Sequence, residues 1–152
     1  MKRFFVSMVA ACMFIFTASF GAYAATPVSK KKIEIAKQHI QQVAPQKAAK
    51  MKGVVFVDVR SLPEYKAGHI PGAVWAPRGL LDFKALKWFK DKSKIYIVYC
   101  KTGGRGSIST YDMVQLGYNK AYNLKGGFLA WKKAGLPVKK GAPAGMGKGV
   151  KK

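Results

Sequence analysis

Two long apolar runs constrain the fold of this chain more than any other feature of its sequence. Residues 54–59 and 95–99 are almost wholly β-branched or aromatic, with Asp58 as the one charged exception. Such runs are typical of strands that are buried on both faces of a parallel sheet. Since a sheet of this kind needs helices on both faces, the sequence predicts an α/β fold.

The segments around these runs predict the other elements of that fold. Helical patterns cover 80–89, 105–116 and 128–134, and the last two are followed by Gly117 and Gly135. Weaker strand patterns cover 73–76 and 120–124, and residues 61–72 form a structured loop with one helical turn. Ligands of such sheets bind at the carboxyl ends of the strands, so the loops there are where a site is expected.

Residues 1–24 have the layout of a secretory signal peptide. A cationic start at Lys2 and Arg3 precedes an uncharged run over 4–20, and Ala22-x-Ala24 has the form of a cleavage site. A retained anchor helix and a lipoprotein box ending at Cys12 are the less favoured alternatives. Cleavage predicts an exported protein, periplasmic or else fully secreted, with a formal net charge lowered from +22 to +20. It also leaves one cysteine.

Two basic segments flank the predicted strands and helices. Residues 25–52 form a lead-in, in which Ile33, Ala36, Ile40 and Val43 predict a short amphipathic helix that ends before Pro45, followed by a basic linker over 46–52. Residues 139–152 are rich in Lys, Gly, Ala and Pro, a composition typical of a flexible tail. These segments predict contact with an acidic protein partner or an anionic surface, with solubility alone as the alternative. No recognised nucleic-acid motif accompanies them, so no specific nucleic acid is expected.

The remaining cysteine, Cys100, opens a glycine-containing loop directly after the second apolar run. Glycines let backbone N–H groups turn toward an anion, and a following helix adds the positive end of its dipole. These groups favour a thiolate, and hence a nucleophile in an anion-binding cup. Lys101 and Arg105 add cationic side chains to this loop. No cofactor and no metal are predicted, because the chain has two distant histidines and no Cys-x-x-Cys.

Three ordered stretches carry a family resemblance. They lie at 57–73, 99–107 and 124–138, and contain Asp-Val-Arg with Gly-His-Ile-Pro-Gly, the Cys100 loop, and Gly-Gly-Phe-x-x-Trp. On these motifs the chain resembles the single-domain rhodaneses, the thiosulfate sulfurtransferase family. The resemblance implies a three-layer α/β/α domain over 53–138 with a five-stranded, mostly parallel sheet.

The same resemblance implies sulfur transfer through a persulfide on Cys100. The donor would be a small sulfur anion, thiosulfate or a polysulfide, and the acceptor cyanide or a thiol. The substrate-binding residues that the resemblance implies are Lys101, Thr102, Gly103, Gly104 and Arg105. The related cell-cycle control phosphatases have a loop one residue longer, whereas four residues separate Cys100 from Arg105 here. The alternative function is a persulfide carrier or protein-interaction module with little turnover of free thiosulfate.

Two charged residues of the Asp-Val-Arg motif are predicted to support the site. Asp58 is expected to brace the Cys100 loop from the end of the neighbouring strand, and Arg60 is expected to pair with Glu64. Gly106 is expected to add flexibility to the start of the helix that follows the loop.

Overall fold

The computed structural model describes residues 26–148, so the predicted signal peptide lies outside the described residues. In chain order the elements are α1 (Pro27–Gln38), β1 (Gln41–Val43), α2 (Pro45–Lys50), β2 (Val54–Asp58), α3 (Leu62–Ala67), β3 (Val74–Trp75), α4 (Arg78–Trp88), β4 (Ile95–Tyr99), α5 (Gly104–Gln115), β5 (Ala121–Leu124) and α6 (Gly127–Lys133). None of the helices over 26–148 combines the length and apolar character that crossing a membrane requires.

The five strands form one sheet in the order β1-β5-β4-β2-β3. All four strand pairings are parallel, and β2 pairs with β4 along its whole length, with Val57 opposite Val98. The predicted α/β fold with a five-stranded sheet is therefore confirmed. The two apolar runs of the sequence are the neighbouring central strands β2 and β4.

Helices cover both faces of the sheet. Successive side chains of a strand point to opposite faces, so one strand contributes to the core on each side. Tyr96 and Val98 of β4 pack in a core cluster with Leu81 of α4 and Met113 of α5. Ile97 and Tyr99 pack on the other face, in a cluster that also holds Ala48 of α2, Tyr65 of α3, and Phe128 and Trp131 of α6. Helix α1 packs against α5. The result is three layers, helix, sheet and helix.

The predicted bounds of the amphipathic helix in the lead-in are wrong at both ends. Helix α1 begins earlier, where the Thr26 side chain accepts a hydrogen bond from the Ser29 N–H at 3.3 Å, and it ends at Gln38. Residues 41–43 form the edge strand β1, which pairs with β5. The apolar spacing from Ile33 to Val43 thus runs through a helix and a strand. Periodicity cannot separate the two when the strand has three residues.

The predicted basic linker over 46–52 is also wrong. Most of it forms helix α2. Ala48 of this helix is completely buried, in the core cluster that also contains Phe128 and Trp131 of α6. Proline at the start of α2 fits the first turn of a helix, where its missing N–H is not needed. The lead-in therefore contributes two helices and an edge strand to the same fold as the residues after it.

The predicted flexible tail is contradicted for residues 139–148. The backbones of Lys139 and His69 exchange two hydrogen bonds of 2.8 and 2.9 Å. Further along, the Gly147 N–H donates to the Trp75 carbonyl at 2.9 Å, on the edge strand β3. Backbone hydrogen bonds hold this segment, in which Met146 is the one large apolar residue. Composition does not reveal such bonds.

Candidate active site

Cys100 follows β4 directly, at the carboxyl end of the sheet. Its side chain is buried, with 1% of the residue exposed. The Gly103 N–H donates a hydrogen bond to Cys100 Sγ at 3.2 Å. Gly103 adopts φ +101°, a left-handed conformation that L side chains rarely adopt. The sharp turn that brings this N–H back to the sulfur is therefore specific to glycine.

The N-terminus of α6 holds the other side of the loop. The Phe128 N–H donates to the Cys100 carbonyl at 2.8 Å, and the Leu129 N–H donates to the Lys101 carbonyl at 3.0 Å. Gly127 permits this approach, since a Cβ there would lie 2.5 Å from the Cys100 carbonyl oxygen and 2.8 Å from the Gly103 nitrogen. The third sequence motif thus acts on the Cys100 loop, a role that sequence reasoning missed.

Gly127→Ala is expected to destabilise the protein by at least about 2 kcal/mol, because it adds a backbone clash to an unfavourable positive φ. Gly135→Ala is the matched control. Gly135 has φ +68°, close to the +62° of Gly127, but nothing lies within 4 Å of its Cβ position. Urea unfolding of both variants measures the difference. Equal losses in the free energy of unfolding would show that close contact between α6 and the Cys100 loop adds nothing to the cost at Gly127.

The first turn of α5 is fixed to the loop and to the sheet. The Ser107 N–H and hydroxyl both donate to the Gly103 carbonyl, at 2.8 and 2.9 Å. The buried Asn123 of β5 donates from Nδ2 to Ser107 Oγ at 3.1 Å. Sequence reasoning missed Asn123. The signal that could have identified it is a polar residue inside a strand that is otherwise apolar.

Gly106 lies where α5 packs closely against the sheet. A Cβ at this position would lie 2.5 Å from Asn123 Oδ1 and 3.3 Å from the Cys100 backbone nitrogen. The glycine is buried within α5. It therefore allows close packing between α5 and the sheet, a role that sequence reasoning missed. That Gly106 adds flexibility to the helix start stays a prediction.

Arg105 forms a bidentate ion pair with Glu64. Its Nη1 and Nη2 donate to the two carboxylate oxygens at 2.9 and 2.7 Å. Glu64 is itself held by a capping box with Ser61, whose N–H donates to the carboxylate at 3.1 Å. The hydrogen bond from Arg105 holds the pKa of Glu64 down, at about 2. Glu64 raises the pKa of Arg105, and the neighbouring Cys100 sulfur contributes to that rise.

Glu64→Gln is expected to reduce the fall in the free energy of unfolding that the wild type shows as the pH is lowered into the acid range. The folded pKa of Glu64 is lowered, so its contribution is full above pH 4.5 and is lost as the pH falls from there to about 2. Urea unfolding across this pH window measures the effect. Glu34→Gln is the control, because Glu34 is exposed and has no ion pair among residues 26–148. An acid branch that both variants share with the wild type would contradict the assignment.

The predicted pairing of Arg60 with Glu64 is wrong. Arg60 instead pairs with Asp58 at 2.6 Å, and both side chains are almost fully buried. The same guanidinium donates to the Gly68 carbonyl and lies 4.2 Å from the centre of the Phe128 ring. Asp58 thus contacts Arg60, and Arg60 in turn contacts Phe128 in the first turn of α6. That Asp58 supports the Cys100 loop stays a prediction.

The predicted loop residues divide between the interior and the surface. Gly103 is buried, Gly104 and Arg105 are half-buried, and Lys101 and Thr102 are exposed. Lys101 also borders a cavity of about 230 Å³ whose other lining residues include Lys132 of α6. Sequence reasoning did not single out Lys132. The described residues bring together no group of three or more His, Cys, Asp or Glu side chains that could bind a metal.

Comparison with known proteins places this arrangement in a family. Residues 37–134 match the family model described as "Rhodanese-like domain". A "Sulfurtransferase" of Allochromatium vinosum is 34% identical over 93 residues, which cover 61% of this chain and 85% of that protein. "Thiosulfate sulfurtransferase 16, chloroplastic" of Arabidopsis thaliana is 32% identical over 99 residues, which cover 59% and 82%.

A solved structure resembles the chain as well. It is a protein of unknown function from Rhodopseudomonas palustris, described as a possible tyrosine phosphatase, with a TM-score of 0.67 and 26% identity. The match covers 76% of this chain and 97% of that one. In two other curated relatives, the matched region is only 41% and 56% of the whole protein. The matched unit therefore also occurs inside longer chains.

Proposed function

This chain belongs to the rhodanese-like family, and on that premise we propose that it is an exported sulfurtransferase. It moves sulfane sulfur from an anionic donor, thiosulfate or a polysulfide, to a thiophilic acceptor through a persulfide on Cys100. Named sulfurtransferases among its relatives support the reaction class.

The hydrogen bond from Gly103 to Cys100 Sγ is the observation that carries this proposal. This hydrogen bond holds the Cys100 sulfur in place at the start of α5. Helix α5 begins next to it without a side-chain cap, so its first N–H groups remain available to an anion. On this proposal, these N–H groups hold the anionic terminal sulfur of the persulfide.

The reaction consists of two displacements at sulfur. In the first, the Cys100 thiolate attacks the outer sulfur of thiosulfate. The new bond joins Cys100 Sγ to that sulfur, and the old S–S bond breaks with its electron pair leaving on sulfite. In the second, cyanide or a thiolate attacks the terminal sulfur and returns the Cys100 thiolate. No net oxidant or reductant is needed, and ping-pong kinetics follow.

The charges around the loop favour a small anionic donor. Arg105 is engaged by Glu64, so its cation is largely neutralised by a partner. Lys101 and Lys132 make no ion pair among residues 26–148 and border the same cavity. These two lysines therefore supply the attraction for the donor. Thr102, the residue after Lys101 in the chain, is also exposed.

The test is a thiosulfate:cyanide assay on the full chain. Turnover with parallel-line ping-pong kinetics is expected, and Lys101→Gln is expected to raise KM for thiosulfate several-fold while kcat changes little. Lys87→Gln, an exposed lysine on α4, is the charge-matched control. Sulfur loading without turnover would instead support the alternative, a persulfide carrier that serves a protein partner.

Phosphatase activity is the second outcome to measure, because one structural neighbour is described as a possible tyrosine phosphatase. The four residues between Cys100 and Arg105 favour sulfur over phosphate on the family resemblance. Arg105 is also held in a bidentate pair with Glu64. We expect no turnover of p-nitrophenyl phosphate, and turnover faster than with thiosulfate would overturn the proposed reaction class.

Export and partners form the last part of the proposal. The signal-peptide pattern of residues 1–24 supports a periplasmic location, with full secretion as the alternative. The lysine-rich surface supports contact with an acidic protein or an anionic surface and does not support sequence-specific nucleic-acid binding. Cell fractionation of the full chain tests the location, and salt titration of any polyanion binding separates general electrostatics from specific recognition.

A further inference from the structure

Large apolar side chains are exposed on α1 and α4, two helices that both pack on α5. Five of the eight exposed large apolar residues in the described part of the chain lie there: Val28 and Ile35 of α1, and Leu80, Phe83 and Leu86 of α4. The other three, Leu129, Val138 and Met146, lie on no common element. Phe83 is the most exposed of all, at 81%. We call the surface formed by these five residues and the lysines between them the α1–α4 face.

Exposed lysines alternate with these apolar residues on both helices. On α4, Leu80, Phe83, Lys84 and Lys87 have the i, i+3, i+4, i+7 spacing that places side chains on one face of a helix. The same spacing occurs on α1, with Val28, Lys31, Lys32 and Ile35. The α1–α4 face therefore mixes apolar groups and cations throughout its area.

The charge of this face is mostly uncompensated. Helices α1 and α4 together hold seven basic residues against two acidic ones, Glu34 and Asp82. None of these basic residues forms an ion pair with a carboxylate among residues 26–148. Asp82 lines a cavity between α1, α4 and α5. The α1–α4 face therefore attracts an anionic partner that also accepts apolar side chains.

This combination of groups separates the partners that could cover the face. A second copy of the chain would bring one set of lysines against another, which is unfavourable. Interfaces between proteins concentrate apolar residues in a centre that is depleted of lysine, whereas here lysines lie directly beside Phe83. A lipid bilayer accepts both kinds of side chain, because apolar groups enter the boundary below the headgroups while long lysine side chains reach the phosphates.

We propose that the α1–α4 face binds the surface of an anionic lipid bilayer. Phe83 and Leu86 enter the boundary between headgroups and acyl chains, and the neighbouring lysines contact the headgroups. The cavity beside Lys101 stays open, because α3 and α6 line it and both pack on the opposite face of the sheet. The inference deepens the partner part of the proposed function, and none of its contacts uses the sulfur chemistry.

Line broadening by a spin-labelled lipid tests this orientation. The full chain is mixed with bicelles of phosphatidylglycerol and phosphatidylcholine that contain the labelled lipid, and amide signals are followed by NMR. We expect the signals of α1 and α4 to lose intensity and those of α6 to keep it. The effect should disappear with bicelles of phosphatidylcholine alone, and fall steeply between about 50 and 500 mM salt.

The local readout keeps the test specific to the α1–α4 face. Insertion of the apolar run over 4–20 would not by itself broaden α4 more than α6, because that run belongs to neither helix. Equal broadening of α4 and α6, or equal broadening with neutral and anionic bicelles, would overturn the proposal.

Variants at exposed positions measure the apolar and the charged contributions. From the α4 signals, Phe83→Ser is expected to partition to anionic bicelles at least about tenfold more weakly. The double variant Lys84→Gln with Lys87→Gln is expected to lose at least about tenfold at low salt. Leu129→Ser removes an apolar side chain of α6 that is 46% exposed, and as the control it should partition like the wild type. Unchanged partitioning of Phe83→Ser would overturn the proposal.

Sulfur transfer gives an independent readout of the same proteins. Without lipid, Phe83→Ser should keep the wild-type thiosulfate:cyanide rate, because α4 contributes none of the residues assigned to the reaction. An inactive wild type with broadening confined to α1 and α4 would support the docking surface and count against the sulfur chemistry alone. A dimer that Phe83→Ser dissociates, without broadening by lipid, would assign the face to a second copy and overturn the proposal.

Discussion

Cys100→Ser is expected to lower thiosulfate:cyanide sulfur transfer by at least about a thousandfold, because a serine hydroxyl cannot form the persulfide. The fold should survive, since the serine hydroxyl is smaller than the thiol and can accept the same hydrogen bond from the Gly103 N–H. Initial rates at saturating thiosulfate measure the loss.

Two controls make this result specific to the sulfur. Cys100→Ala should lose the same activity, and both variants should retain the far-UV circular dichroism and cooperative unfolding of the wild type. A Cys100→Ser protein that keeps more than about a tenth of the rate would contradict covalent catalysis at this residue.

The second large effect is expected at the buried ion pair behind the loop. Arg60→Met leaves the Asp58 carboxylate buried without its partner, which costs about 3–5 kcal/mol in similar cases. It also removes the donor to the Gly68 carbonyl and the cation above the Phe128 ring. Urea unfolding measures the change in the free energy of unfolding.

A double variant separates the buried pair from general packing. Asp58→Leu combined with Arg60→Met should recover most of the lost stability, because no unpaired charge remains. Arg105→Met, which breaks the more exposed pair with Glu64, should cost no more than about 1 kcal/mol. Additive losses from the Asp58 and Arg60 substitutions would contradict a coupled pair.

The parts of the fold that the sequence predicts well are those with a strong hydrophobic signal. Residues 95–99 form β4 as predicted, and residues 54–58 form β2, because long apolar runs have few alternatives to a buried strand. Strand β1 has three residues, two of which are glutamines, so its pairing with β5 has no comparable signal. Its position depends on the sheet as a whole.

In the site, the features that follow from local sequence were predicted, and those that depend on contacts distant in the chain were not. The position of Cys100 at a strand end follows from local sequence. The partner of Glu64 does not, because Arg60 is four residues away in the chain whereas the observed partner, Arg105, is 41 residues away. Close approach explains why the roles of Gly106 and Gly127 were missed. The need for glycine at these positions depends on which atoms the fold brings near them.

The central claim is that Cys100 carries the transferred sulfur, and intact mass spectrometry tests it most directly. Full-length protein treated with thiosulfate, then freed of excess donor, should gain about 32 Da, the mass of one sulfur atom. Cyanide should remove this adduct, and Cys100→Ser should never acquire it. An unchanged mass after both thiosulfate and polysulfide treatment, or an adduct that persists in Cys100→Ser, would contradict the account.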